Sequence, residues 1–160
     1  MAERQISLVK TAFMRMWSLS NVPMIFWLKP SVVELNSERA ELSIPLTRRS
    51  RNHYKSMYLS ALVTGADLAV GVLAMELMSE LQSKQSLIFK DLEAKFFRRA
   101  EADVHFLCEE GRAIEDLILR AMDSGEREER KIYVRAICPS LSQETVAQFA
   151  LTLSVRNKRR

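Results

Sequence analysis

One long apolar segment, from Ser56 to about Leu81, most constrains what this chain can fold into. The segment is apolar on nearly every side, which predicts a buried helix with Ser56 as its N-cap. A transmembrane helix is the competing interpretation, but polar residues interrupt the run at Ser60, Thr64 and Asp67. Small residues along the segment permit close approach by a sheet: Ser60, Ala61, Gly65, Ala66, Ala69, Gly71 and Ala74.

Alternating apolar and polar residues on both sides of this helix predict strands. Two strands joined by a tight turn near Asn36-Ser37 precede it, and four follow it, with a short helix from Gly111 to Met122 between them. The apolar positions are Val33 and Leu35; Ala40, Leu42, Ile44 and Leu46; Leu92, Ala94 and Phe96; Val104, Phe106 and Cys108; Ile132, Val134, Ala136 and Cys138; Phe149, Leu151, Leu153 and Val155. This order of elements is typical of an α+β, mainly antiparallel domain.

Residues 1–30 form an N-terminal helical segment in this interpretation. Apolar residues recur at helical spacing from Ile6 to Leu19, and the apolar run from Pro23 to Leu28 follows. Six residues cannot cross a bilayer, so we expect this run to pack on the domain or on a partner subunit. Contact with a membrane surface is the less favoured alternative.

The 160 residues suit a single domain spanning the whole chain, 1–160. No apolar signal core follows a basic start between Met1 and Val9, so we expect the reducing cytoplasm. Cys108 and Cys138 are then small core residues and not a disulfide. Neither histidine has a metal-ligand spacing with the cysteines, and no metal site is predicted.

Much of the basic excess behind the formal net charge of +4 lies in a loop and in the tail 156–160. Both segments are most simply interpreted as exposed to solvent. No basic face carries an element that could read nucleic-acid bases, so no nucleic-acid partner is predicted. Association of a membrane or nucleic acid with the tail and the Trp17/Trp27 region remains a distant alternative. The basic residues are Arg48, Arg49, Arg51 and Lys55 in the loop, and Arg156, Lys158, Arg159 and Arg160 in the tail.

Asp67 is the only charged residue between Ser56 and Met75. A carboxylate in apolar surroundings is costly unless it is paired, hydrogen-bonded or protonated. Asp67 is therefore either functional or a structural residue that caps a backbone or pairs across a subunit contact. Asn52 precedes it by fifteen positions, near a helix start whose free N–H groups can bind an oxyanion. The alternative for Asn52 is a turn residue.

The motifs Arg51-Asn52-His53, Ser56-Met57-Tyr58, Ala61-Leu62 and Ala66-Asp67 resemble the hotdog-fold thioesterases of the phenylacetate-pathway (PaaI-like) type, especially a poorly characterised bacterial branch. The similarity extends from about Pro23 to the Phe96–Ala100 stretch. It implies an antiparallel sheet wrapped around one long central helix. It also implies a homodimer or tetramer with active sites at the dimer interface.

The resemblance further implies hydrolysis of a fatty or aromatic acyl-CoA, with coenzyme A entering as part of the substrate and no separate cofactor. Asp67 would activate water or attack the thioester, Asn52 would position that water or the carbonyl, and the Leu59 N–H would bind the oxyanion. The basic loop would attract coenzyme A phosphates through Arg48, Arg49, Arg51 and Lys55. Leu62, Val63 and Phe89 would line the acyl tunnel.

Tyr58-Leu59-Ser60 stands where the family has His-Gly-Gly. This departure favours the alternative of a non-catalytic hotdog domain that binds an acyl ligand or serves as an interaction module. Hydratase chemistry would need a histidine where Val72 stands, and the chain has no Gly-x-Ser-x-Gly nucleophile motif.

Overall fold

The structure, a computed structural model, describes residues 7–157. Its elements in chain order are α1 (Leu8–Asn21), α2 (Pro23–Leu28), β1 (Ser31–Leu35), β2 (Ala40–Ile44), α3 (Leu59–Glu80), β3 (Gln85–Phe96), β4 (Val104–Cys108), α4 (Gly111–Ser124), β5 (Glu128–Ile137) and β6 (Thr145–Asn157). Ile6, at the predicted start of the first helix, and the tail residues Lys158, Arg159 and Arg160 lie outside this range.

The strands form one six-stranded sheet in the order β1-β2-β4-β5-β6-β3. Each of the five strand pairings is antiparallel, as the alternating pattern predicts. The pairing of β3 with β6 contains a bulge between Phe89 and Leu92. Along the described chain, β1 and β3 end the sheet, so each has one edge without a strand partner.

The sheet wraps around α3, which packs on β2, β4 and β5 and on the shorter helix α4. By length and composition α3 could cross a membrane, with a mean hydropathy of 1.7, but its residues form the centre of the core. The predicted architecture, an antiparallel hotdog sheet around one long helix, is confirmed. Twelve residues of α3 are buried: Ala61, Leu62, Thr64, Gly65, Ala66, Leu68, Ala69, Val70, Leu73, Ala74, Leu77 and Met78.

The start of α3 differs from the predicted one. Tyr58 occupies the N-cap position without a side-chain capping bond, and the helix begins at Leu59. Ser56, predicted as the N-cap, is buried and exchanges hydrogen bonds with the Asn52 side chain instead. The prediction was wrong because Ser56 closes the preceding loop, which leaves two further extended residues before the helix.

Helix α1 has an unusual orientation for an amphipathic helix. Its buried residues are Thr11, Met14 and Ser18, two of which are polar. Most of its apolar side chains are exposed instead: Leu8, Val9, Phe13, Met16 and Leu19. The periodicity predicted the helix correctly, but the face that it turns to the domain is the more polar one.

The C-terminal half follows the pattern in the sequence closely. Helix α4 buries one stripe, Ile114, Leu117, Ile118 and Ala121. It ends at Gly125, whose positive φ of 68° suits the left-handed cap. Cys108 and Cys138 are both free and buried.

Candidate active site

A cavity of about 650 Å³ opens between α1, α3 and the first half of β3. Its size is within the range of small-molecule sites, and its walls are mainly apolar. The residues of α1 that line it are Val9, Lys10, Phe13, Met14 and Trp17; those of α3 are Asp67, Leu68, Gly71, Val72, Met75, Glu76 and Ser79; Val22, Ile25, Val32, Leu35, Leu87 and Phe89 complete it.

Asp67 is the predicted site residue that the structure places in this cavity. Helical spacing aligns it with Gly71 and Met75, which also line the cavity. The carboxylate is half-buried and makes no hydrogen bond or ion pair within residues 7–157. Burial raises the pKa of the Asp67 carboxyl above its ordinary value, because the charged form loses solvation. A carboxylate in this state is a stronger base at neutral pH than an exposed one.

The two other charged residues of the cavity neutralise each other. Lys10 Nζ lies 2.6 Å from Glu76 Oε1 and also donates to the carbonyl oxygen of Leu35 at 2.9 Å. The ion pair joins α1 to α3, and the hydrogen bond joins α1 to the end of β1. Among the described residues that line the cavity, Asp67 is thus the charged one without a partner, whereas Glu76 is paired.

Asn52 organises the loop before α3. Its Oδ1 accepts hydrogen bonds from the backbone N–H of Tyr54 at 2.9 Å and of Ser56 at 3.2 Å, and its Nδ2 donates to Ser56 Oγ at 3.1 Å. This is the Asx-turn role considered as the alternative from the sequence. One of the two Nδ2 hydrogens remains for another acceptor. Asn52 does not line the cavity that contains Asp67.

Leu59 is the first residue of α3, and its side chain is exposed. Its N–H belongs to the first turn of the helix, where no intrahelical acceptor exists, so it can donate to a ligand. Leu59 is not among the residues that line the cavity either. Along this chain, therefore, Asp67 lines a cavity that does not include the two residues predicted to hold the substrate carbonyl.

The residues predicted to line an acyl tunnel are divided between this cavity and the core. Phe89 lines the cavity, but Leu62 and Val63 do not. Leu62 is buried in the main core and Val63 packs against that core, because their positions on α3 point to other sides of the helix. The prediction missed the opposite wall, formed by Phe13 and Trp17.

The basic loop residues Arg48, Arg49, Arg51 and Lys55 are all exposed. The Arg49 guanidinium lies 4.1 Å from the ring centroid of Trp27, a cation–π contact that joins the loop to α2. None of the four residues lines the cavity. They form a cationic surface near the start of α3, at some remove from Asp67.

The two histidines contact other side chains of the fold and do not line the cavity. His105 Nδ1 lies 2.8 Å from Glu41 Oε1, and Glu41 is buried and also contacts Arg39. This polar cluster joins neighbouring strands β2 and β4 away from the cavity. The rings of His53 and Tyr54 are in contact, with centroids 3.9 Å apart and planes tilted by 44°.

Three solved structures illustrate the similarity of the fold. A Shewanella oneidensis protein named as a candidate thioesterase has a TM-score of 0.79 at 14% identity, covering 93% of this chain and 99% of its own. A Chlorobaculum tepidum protein of unknown function has a TM-score of 0.81 at 8% identity, covering 98% and 100%. A thioesterase family protein from Silicibacter pomeroyi has a TM-score of 0.66 at 18% identity, covering 92% and 99%.

No curated protein matches the sequence. Residues 9–155 match the model of the family described as a domain of unknown function, DUF4442. That range includes the cavity, the loop before α3 and every strand except the last two residues of β6. The chain therefore belongs to the DUF4442 family and has a hotdog-like fold.

Proposed function

We propose that this protein is a cytoplasmic acyl-CoA thioesterase of the PaaI-like type. The observation that carries the proposal is Asp67, an unpaired carboxylate on the wall of a mainly apolar cavity. An apolar cavity binds an acyl group, and a basic carboxylate beside it can act on the thioester. The names of the Shewanella oneidensis and Silicibacter pomeroyi proteins support the same reaction class.

In the proposed reaction Asp67 acts as a general base. It takes a proton from water while the oxygen adds to the thioester carbonyl carbon, and the resulting oxyanion then collapses. The carbon–sulfur bond breaks, coenzyme A leaves as a thiolate, and the proton passes from Asp67 to the sulfur. Direct attack by Asp67 would instead expel coenzyme A as a thiolate and form a mixed anhydride, which water hydrolyses to the acid and the free Asp67 carboxylate while a proton from that water passes to the thiolate. The raised pKa of Asp67 favours the proton transfer at neutral pH.

The proposal includes a homodimer, and pairs of dimers are compatible with it. The edge of β3, twelve residues long, has no strand partner along the described chain, and Ile88 and Leu92 are exposed on it. An open edge of this length is a ready surface for a second sheet. We propose that Asn52 and the Leu59 N–H act on the substrate bound beside Asp67 of the other subunit. Asn52 would use its remaining Nδ2 hydrogen.

Coenzyme A would bind outside the cavity. The exposed Arg48, Arg51 and Lys55 offer donors and positive charge to its phosphates, and Arg49 adds charge from its position over Trp27. The contacts of the basic loop with coenzyme A, like the dimer, are part of the proposal.

A second candidate function is a non-catalytic acyl-binding domain. It is favoured by the separation of Asp67 from Asn52 and Leu59 within one subunit, and by the exposed Leu59 side chain at the helix start. Such a domain would retain the cavity and bind its ligand without turnover.

The test is hydrolysis of short, long and aromatic acyl-CoAs by the wild type and by Asp67→Asn. Asparagine keeps the shape of the side chain but cannot act as a base, so turnover should fall by about a hundredfold or more. Asp116→Asn is the matched control, because Asp116 is exposed on α4 outside the cavity. Wild-type turnover in Asp67→Asn would remove Asp67 from the mechanism. Binding without hydrolysis in the wild type would favour the second candidate.

A further inference from the structure

Gly71 leaves the centre of the cavity open. It lies in the middle of α3 and lines the cavity, and a Cβ built on it meets nothing within 4 Å. Glycine weakens a helix relative to alanine, so the helix gains nothing from it here. Gly65, by contrast, is needed for packing, since its Cβ would lie 2.2 Å from the Phe106 ring. Gly71 has no such neighbour and contributes only empty space next to Asp67.

The wall of the cavity opposite Gly71 consists of apolar side chains that are largely exposed to solvent. Val9 and Phe13 are 82% and 70% exposed although both face the cavity. Contiguous exposed apolar surface of this kind is typical of a site that a ligand or another protein covers. The α1 stripe therefore offers new apolar contact to a chain lying between it and Gly71.

The size of the cavity distinguishes between acyl groups. An apolar cavity of about 150 Å³ holds a single benzene ring. The cavity here measures about 650 Å³, so a one-ring aromatic acyl group would leave most of it unfilled. A long unbranched chain reaches along the walls from Asp67 and covers the apolar surface of both α1 and β3.

The charges of the cavity select the head group of the ligand. Lys10 is paired with Glu76, so the uncompensated charge is the carboxylate of Asp67. A free fatty acid would place a second carboxylate in the same cavity, and like charges at short range repel. An uncharged thioester carbonyl meets no such repulsion, and the carboxylate product of hydrolysis would be expelled by it.

We infer that the substrates are long, unbranched acyl thioesters, and that Gly71 and Phe13 determine this specificity. The thioester group in this inference rests on the proposed function, whereas the preference for long acyl chains rests on the cavity alone. Gly71 sets the free depth beside α3, and Phe13 supplies the facing apolar wall.

The experiment measures binding apart from catalysis. Non-hydrolysable S-hexadecyl-CoA and S-ethyl-CoA thioethers are titrated calorimetrically into the wild type, Gly71→Leu and Phe13→Ala, with Leu119→Ala, an exposed position on α4 outside the cavity, as the control. Gly71→Leu should weaken binding of the hexadecyl compound by about tenfold or more, because even two excluded methylenes account for that factor. Binding of the ethyl compound should not change. Phe13 is exposed, so Phe13→Ala tests the facing wall without disturbing the core.

The outcomes separate the two proposals. If the wild type binds the hexadecyl compound selectively but hydrolyses no acyl-CoA, the cavity inference stands and the thioesterase proposal fails. If it hydrolyses only short or aromatic acyl-CoAs, the thioesterase proposal stands and the inference is overturned. Unchanged hexadecyl binding in Gly71→Leu and Phe13→Ala would also overturn it. Sedimentation of each variant checks that its assembly matches that of the wild type.

Discussion

Gly65 on α3 lies directly against the ring of Phe106 on β4, so closely that a Cβ at position 65 would be 2.2 Å from Cε2. Phe106 is completely buried, and its strand is central in the sheet. Since no side chain fits between them, this contact sets the distance between the long helix and the sheet.

Gly65→Ala should therefore destabilise the fold. The ring of Phe106 has no free space to enter, and overpacking of this kind costs about 1–3 kcal/mol. Gly71→Ala is the matched control on the same helix, and it should be neutral or stabilising by up to about 1 kcal/mol. Urea unfolding of both variants measures the difference. Equal stabilities would show that the sheet shifts freely and that the contact is not limiting.

Asp67→Asn should raise the melting temperature at neutral pH. The pKa of Asp67 is raised in the folded protein, so its contribution to stability is present below the ordinary pKa and is lost as the pH rises through the folded pKa. Asparagine removes the cost of the buried charge, and the gain should be on the order of a few degrees. The gain should shrink towards zero in acid. A lower melting temperature at neutral pH would indicate instead that the carboxylate is paired in the assembled protein.

Replacing the two exposed apolar residues of the β3 edge should weaken the proposed dimer. Ile88→Lys combined with Leu92→Lys places charges on an edge strand, a change that blocks pairing between sheets. The wild type should sediment at about twice the 18.4 kDa of one chain, and the double variant should shift towards one chain. Tyr133→Lys is the control, because Tyr133 is exposed on β5 inside the sheet. A wild type that sediments as one chain at micromolar concentration would contradict the dimer.

Both thiols should be unreactive in the folded protein. Burial raises the pKa of the Cys108 thiol to about 12 and raises that of Cys138 as well. The thiolate is the reactive species, and a buried thiol also excludes the reagent. Ellman's reagent at pH 8 should therefore detect almost no thiol before denaturation and two per chain afterwards. Rapid labelling of the native protein would show that the strands carrying these residues open.

Much of this architecture is visible in the sequence, because its strongest patterns are local ones. The apolar α3 and the alternation in β5 and β6 depend only on which side chains need burial. The inward stripe of α4 follows from the same requirement. The start of α3 was missed because Ser56 bonds to Asn52 within the preceding loop, a role as acceptable for a serine as that of an N-cap.

The cavity was harder to predict because it depends on which face of α1 packs on the domain. Periodicity locates an apolar stripe on α1 but does not say which way the helix turns it, and the polar Thr11 and Ser18 face inward. Asp67 was found because one carboxylate is conspicuous in an apolar helix. Phe13 was not, since an aromatic residue on an amphipathic helix is usually a core residue.

The inverted orientation of α1 also determines how easily the helix detaches. Much of its anchorage is polar: Thr11 Oγ1 accepts from the Val32 N–H at 2.9 Å, Arg15 donates to the Pro30 carbonyl at 2.8 Å, and Lys10 pairs with Glu76. Water can replace each of these contacts, whereas it cannot replace the apolar contacts around α3. Amides of α1 should therefore exchange with deuterium through local opening, at a lower free energy than global unfolding. One wall of the cavity should thus open as a separate cooperative unit and admit a long ligand while the sheet and α3 stay folded.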